Sequence, residues 1–111
     1  MSVYDPVATA KQGAVYMDAV RPAWFREIDL KTLDLAAYNY CILGQCFGSF
    51  YDGLQKIVGC VTGEAAISSE HPFAMAFGFN VPVARQSDGN YERLGLAWKA
   101  EIRKRRKKRK R

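Results

Sequence analysis

The chain is 111 residues long, 49% apolar and 13% aromatic, enough to build one hydrophobic core, too short for two, and too apolar for a disordered body. No run of about 18 apolar residues occurs, which excludes a membrane-spanning helix. Charge is divided sharply: of 17 Lys and Arg, nine fill 103–111, leaving eight against all 11 Asp and Glu in 1–102, a net of −3 for a body that carries a basic end.

The start, MSVYDPVATAKQG, lacks the basic and then continuously apolar segments of a secretory signal. Asp5-Pro6 predicts an N-cap and first helical residue, and VATAKQGAVYMDAV continues the helix with Val7, Ala10, Ala14 and Met17 on its inner face and Gly13 as a weak point. Arg21-Pro22 ends it, and PAWFREI predicts a turn or two that buries Trp24 and Ile28. In IDLKTLDL, Asp29 and Asp34 are spaced to cap short turns. Asp34 is then expected to start LAAYNYCILGQCF as the central buried helix, broken by Gly48-Ser49. Ser49 caps FYDGLQKIVGCV, whose stripe is Phe50, Leu54, Ile57 and Val58 and whose end is Gly59 or Gly63.

EAAISSEHPFAMAFGFNVPVARQSDGN is expected to hold a further helix capped by Ser68 or Ser69, with Phe73, Ala76 and Phe77 as its apolar face, and then a loop at Pro82 and RQSDGN. VTGEAAI and NVPVA also leave room for a small hairpin. Ser87 or Asp88 starts the last helix, where Tyr91, Leu94, Trp98 and Ile102 recur at i, i+3, i+7 and i+11. The pattern shows no internal repeat, no heptads and no long alternation. It predicts an all-α, single-domain bundle of about four or five short helices over 1–102, followed by a helical or frayed polybasic tail over 103–111.

The tail, Arg103, Lys104, Arg105, Arg106, Lys107, Lys108, Arg109, Lys110 and Arg111, points to a polyanionic partner. In a helix its like charges at i,i+3 and i,i+4 each cost about 0.2–0.5 kcal/mol, and only Glu101 offsets them, by reaching Arg105. The free tail is therefore expected to fray and to order when phosphates replace repulsion with attraction. An unbroken Lys/Arg run offers phosphate contacts and little that matches base edges, so DNA or RNA is expected to bind without sequence preference. A purely solubilising tail, an anionic membrane or an acidic protein are the other readings of the same run.

Three cysteines, Cys41, Cys46 and Cys60, form an odd set that favours a reducing compartment and buried thiols. With His71 they supply zinc-type donors, but there is no CxxC pair, and on a helix Cys41 and Cys46 project about 140° apart. No metal or cofactor is expected. Nor do these cysteines make a nucleophile with His71, since they sit in apolar sequence and the histidine precedes Pro72. Glu27, Asp29 and Asp34 read as helix caps before acid/base groups. Gly44, Gly48 and Gly53 match neither phosphate-loop pattern and fit close helix packing instead. The cluster CFGSFYDGL reads as core, with Phe50 and Tyr51 as a protein-binding patch where it is exposed.

IDLKTLDL, CILGQCFGSFYDGL, FAMAFGFNVP and YERLGLAWKAEI together resemble a group of small proteins encoded by bacteriophages of actinobacteria, over roughly residues 22–102. The shared features are the Ile-Asp-Leu turn, the Cys-Ile-Leu-Gly-Gln helix, the glycine and aromatic cluster, the Gly-Phe segment and the Tyr-x-x-Leu-x-x-x-Trp helix. The resemblance implies a bacterial host cytoplasm during infection and no enzymatic reaction; the long polybasic end departs from the group's pattern. The expected function is non-enzymatic, non-specific nucleic-acid binding through the tail. The alternative is a module that binds a host protein through its helical body.

Overall fold

The computed structural model describes residues 5–37, 39–59, 71–81, 86 and 89–109. Among these the fold is all-α, without a strand. The helices are α1 (Pro6–Val20), α2 (Ile42–Phe47), α3 (Phe50–Leu54), α4 (Pro72–Ala76) and α5 (Asn90–Arg109), with a 3-10 turn at Trp24–Arg26 and a π turn at Gln55–Gly59.

α1 starts as its sequence dictates: the Asp5 carboxylate accepts from the amides of Val7 and Ala8 at 3.0 and 3.2 Å, and Pro6 opens the first turn. Its buried face is Ala10, Gly13, Ala14 and Met17. Val7 sits at the edge of that stripe, about 70° from its centre at helical spacing, and is 65% exposed rather than part of the inner face.

This row of small residues lets α5 approach closely, and α1 and α5 make the most extensive helix contact of the described structure. Gly13 is the point of contact. A Cβ there would lie 1.9 Å from the Phe77 carbonyl oxygen and 2.7 Å from the Trp98 ring. The residue that weakens α1 in isolation is the one that lets it pack. Trp98 stacks on Phe79 with ring centroids 5.7 Å apart and meets Trp24 edge-on at 5.5 Å. Its buried indole N–H donates to the Gly78 carbonyl at 2.7 Å, as a buried donor must.

Between α1 and α2 the chain runs in turns. Trp24 and Ile28 are buried, and Asp29 and Asp34 each accept an amide two residues on, from Lys31 at 2.9 Å and Ala36 at 3.0 Å. The long central helix expected from Asp34 does not form. The Asp34 amide bonds instead to the Tyr40 carbonyl at 3.0 Å, closing a loop, and α2 begins only at Ile42, with the Cys41 thiol as its cap, accepting from the Gly44 amide at 3.2 Å. Asp34, Asn39 and Tyr40 are weak helix formers, and the Asp side chain competes for the backbone.

Gly48, at φ +99°, reverses the chain, and the Ser49 hydroxyl caps α3 by accepting from the Asp52 amide at 3.1 Å. Gly48 is thus a turn residue and not a packing one; Gly53 is the packing one, with Leu43 2.7 Å from where its Cβ would be. Phe50, Leu54 and Ile57 are buried, as their stripe predicts. α4 is capped by His71, whose Nδ1 accepts from the Phe73 amide at 3.1 Å, ahead of Pro72. Its buried residue is Ala74, while Phe73 is 39% exposed. The Val58 side chain, Cys60, Gly63, Ser68, Ser69, Pro82, Ser87, Asp88, VTGEAAI and most of NVPVA lie outside the described residues.

Candidate nucleic-acid interface

Leu94, Trp98 and Ile102 are fully buried and set the rotation of α5 against the body. At about 100° per residue, that rotation sends Arg103 and Lys107 outward with Lys104 beside them; all three are exposed. Lys104 makes one long contact with Glu101, at 3.5 Å. The helical backbone continues to Arg109. The Lys108 and Arg109 side chains, and Lys110 and Arg111, lie outside the described residues.

Two cations of the run face the other way. The Arg105 guanidinium is bidentate on Asp18, with Nε to Oδ1 at 3.0 Å and Nη2 to Oδ2 at 2.9 Å, and its Nη1 reaches the Glu101 carboxylate at 2.8 Å and the Glu101 carbonyl at 3.1 Å. Its side chain is 15% exposed and that of Glu101 10%. The hydrogen bond that Arg105 donates to Asp18, the largest influence, and the one it donates to Glu101 raise its pKa against the opposing effect of burial. Arg106 donates through Nε and Nη2 to the Phe25 carbonyl at 3.1 and 2.8 Å, and also to the carbonyl of Ile28. It thereby caps the 3-10 turn that follows α1.

Of the two forms expected for the tail, helical or frayed, these anchors accompany the helical one. No break in α5 falls at the 102/103 boundary. Glu101 meets Arg105, as its i,i+4 spacing predicts, but the stronger partner is Asp18, 87 residues away and without any local signal. Where like charges should melt the helix, two of them are drawn onto the body and hold it.

Asp18 serves a second donor. It accepts from the Trp24 indole N–H at 2.9 Å, and the Arg105 guanidinium carbon lies 5.9 Å from the Trp24 ring centroid. One carboxylate therefore joins α1, the 3-10 turn and the basic end of α5.

The aromatic patch divides. Phe50 is 5% exposed and belongs to the core, so it cannot anchor a partner; Tyr51, 47% exposed, packs edge-on against it. Both line a cleft of about 220 Å³ with Leu35, Asn80 and Tyr91. Its polar groups are engaged inside the protein: Tyr91 donates to Asn80 at 2.7 Å, and Gln86 to the Val81 carbonyl at 3.0 Å. Cys41 and Cys46 are buried thiols that form no disulfide. Burial is the main reason that the Cys46 pKa is pushed up to about 12 and that of Cys41 is raised. That is the opposite of what a nucleophile needs. Among the described residues no group of three His, Cys, Asp or Glu side chains is placed to hold a metal ion.

No family model matches the chain, and no curated protein or solved structure matches it either.

Proposed function

We propose that the protein is a non-enzymatic nucleic-acid-binding protein that contacts phosphates through the basic end of α5 without reading base sequence. The observation that carries this reading is the exposed row Arg103, Lys104 and Lys107 on a helix anchored from behind by Arg105 and Arg106. Lys and Arg offer donors and charge that suit phosphate oxygens, and contacts made to phosphates carry no base sequence. The setting consistent with this function is the bacterial cytoplasm during phage infection that the sequence resemblance implies.

The test is a salt titration of binding to duplex DNA and RNA. It compares the full chain with a variant carrying Gln at 103, 104, 107, 108, 109, 110 and 111, which keeps Arg105 and Arg106 and hence the anchor. Up to seven neutralised phosphates predict a log K against log salt slope of about −4 to −6, lost in the variant. Absence of binding by the full chain at about 50 mM salt would refute the reading.

A second reading, a host-protein-binding module acting through the body, is favoured by one observation. Val7 and Leu96, each 65% exposed, line an apolar groove with Pro6, Ala97 and Ala100. On that reading the neutralised variant keeps its partner.

A further inference from the structure

Resting on the nucleic-acid reading, we propose that the polyanion is duplex DNA in B form, met by one face of α5. The last turns of the helix lie in the major groove, and Arg103, Lys104 and Lys107 reach its phosphates.

The order of the helix favours a duplex. Specific or not, a flexible basic tail binds any polyanion by folding onto it, and the charge run alone predicts that mode. The structure instead presents a helix already formed to Arg109 and clamped to the body at Arg105 and Arg106. A rigid element recognises shape as well as charge. It meets a partner whose phosphates are already fixed in space more favourably than one that must also be ordered.

The size of the helix favours B-form DNA. An α-helix with its side chains is about 10–12 Å across, and the B-DNA major groove is about 12 Å wide. The A-form major groove of duplex RNA is too narrow and deep for side chains to read, and its shallow minor groove is lined with 2′-hydroxyls that both donate and accept. The exposed row on α5 is cationic and accepts nothing. Arg103 and Lys107 lie one turn apart, about 6 Å along the axis, comparable to two base steps of B-DNA at about 3.4 Å each.

Single-stranded nucleic acid is held by aromatic platforms on which bases stack. Among the described residues, the exposed aromatics Tyr40, Tyr51 and Phe73 lie off α5. On α5 itself the exposed residues preceding Arg103 are Glu92, Arg93, Leu96 and Ala100, none of them aromatic. The body packs behind the helix, on Leu94, Trp98 and Ile102, which leaves the basic side free to enter a groove.

The test measures fluorescence anisotropy of the full chain with one sequence of about 20 base pairs prepared as duplex DNA, duplex RNA and single strand. Inorganic polyphosphate and anionic phospholipid vesicles serve as further probes. Duplex DNA should bind about tenfold more tightly than duplex RNA at the same salt. Methyl green, a major-groove ligand, should be displaced while netropsin, which lies in the minor groove, is retained. The exposed triple variant R103Q/K104Q/K107Q, checked for native helicity by circular dichroism, should flatten the DNA salt slope by about 3. Equal affinity for duplex DNA, duplex RNA and polyphosphate overturns the assignment to duplex DNA and leaves nucleic-acid binding standing. Displacement of netropsin with methyl green retained overturns the groove. Binding to vesicles without binding to any nucleic acid overturns both this inference and the function it rests on.

Discussion

Replacing Arg105 by Met keeps much of the side chain's length and apolar stem while removing the guanidinium. Two groups lose a partner. Asp18, 43% exposed in its side chain, loses a bidentate charged pair, and a partly exposed pair of good geometry contributes about 1 kcal/mol. Glu101, only 10% exposed, is left with the longer Lys104 contact at 3.5 Å, and under-satisfying a nearly buried carboxylate costs about another 1 kcal/mol. The expected total of about 2 kcal/mol corresponds, for a chain of 111 residues, to a fall in melting temperature of roughly 8 °C. The assay is thermal unfolding followed by circular dichroism at 222 nm, with Asp18→Asn and the double variant completing a cycle. The amide of the Asp18→Asn variant still offers an oxygen to the Trp24 indole, so the cycle isolates the charged pair, with an expected coupling of about 1 kcal/mol. The raised Arg105 pKa stabilises the folded chain fully at every pH below the ordinary arginine value, so the loss should not depend on pH between neutral and mildly alkaline conditions. A melting temperature within about 2 °C of the parent, with no coupling, would show that the anchor contributes nothing and that the basic end is held by Trp98 and Ile102 alone.

Truncation at 102 should destabilise the body, because it removes Arg105 and Arg106 together, whereas truncation at 106 should leave the melting temperature within about 2 °C of the full chain. Gly13→Ala should destabilise by more than about 3 kcal/mol in denaturant titration, although the same change in an exposed helix stabilises by about 1 kcal/mol, since the new Cβ has no room against Phe77 and Trp98. Cys41 and Cys46 should resist iodoacetamide in the native protein and react in denaturant, as read by peptide mass spectrometry. A buried neutral thiol adds stability below its ordinary pKa of 9.0 that disappears as pH rises toward about 12, so Cys46→Ala should flatten the alkaline fall in stability over that window.

Much of the fold is legible locally. Asp5-Pro6 and Ser49 cap helices as their chemistry predicts, and Leu94, Trp98 and Ile102 bury as their spacing predicts. These signals are carried within a few residues. Others depend on competition between backbone partners: Asp34 is as good a cap for a helix as for a turn, and the amide it keeps for the Tyr40 carbonyl decides the matter. The thiol and imidazole caps, Cys41 and His71, escape ordinary capping preferences.

The site is half legible for a different reason. Nine like charges in a row are plain in the sequence, but which of them face outward depends on the rotation of α5, and that is set by what Trp98 packs against. The Asp18–Arg105 pair joins positions with no pattern between them. Phe50 and Tyr51 show the same limit: adjacent aromatics, one in the core and one outside, told apart only by the face on which α3 is buried.

The pairing of α1 with α5 also governs how this chain acquires its structure over time. A protein is synthesised from its N-terminus at about 5–20 residues per second, and contacts distant in sequence form more slowly than local ones. Ala10, Ala14 and Met17 are made early, yet the larger part of the surface that α1 packs on is supplied by the last described helix. For several seconds of translation α1 lacks that larger partner, so collapse of the core waits on the arrival of Trp98. Intermediates stalled before that point should be the species most prone to aggregate, and a folding rate limited by this closure should slow when α1 is altered at Gly13 or Met17 and respond little to changes in the α2–α3 corner.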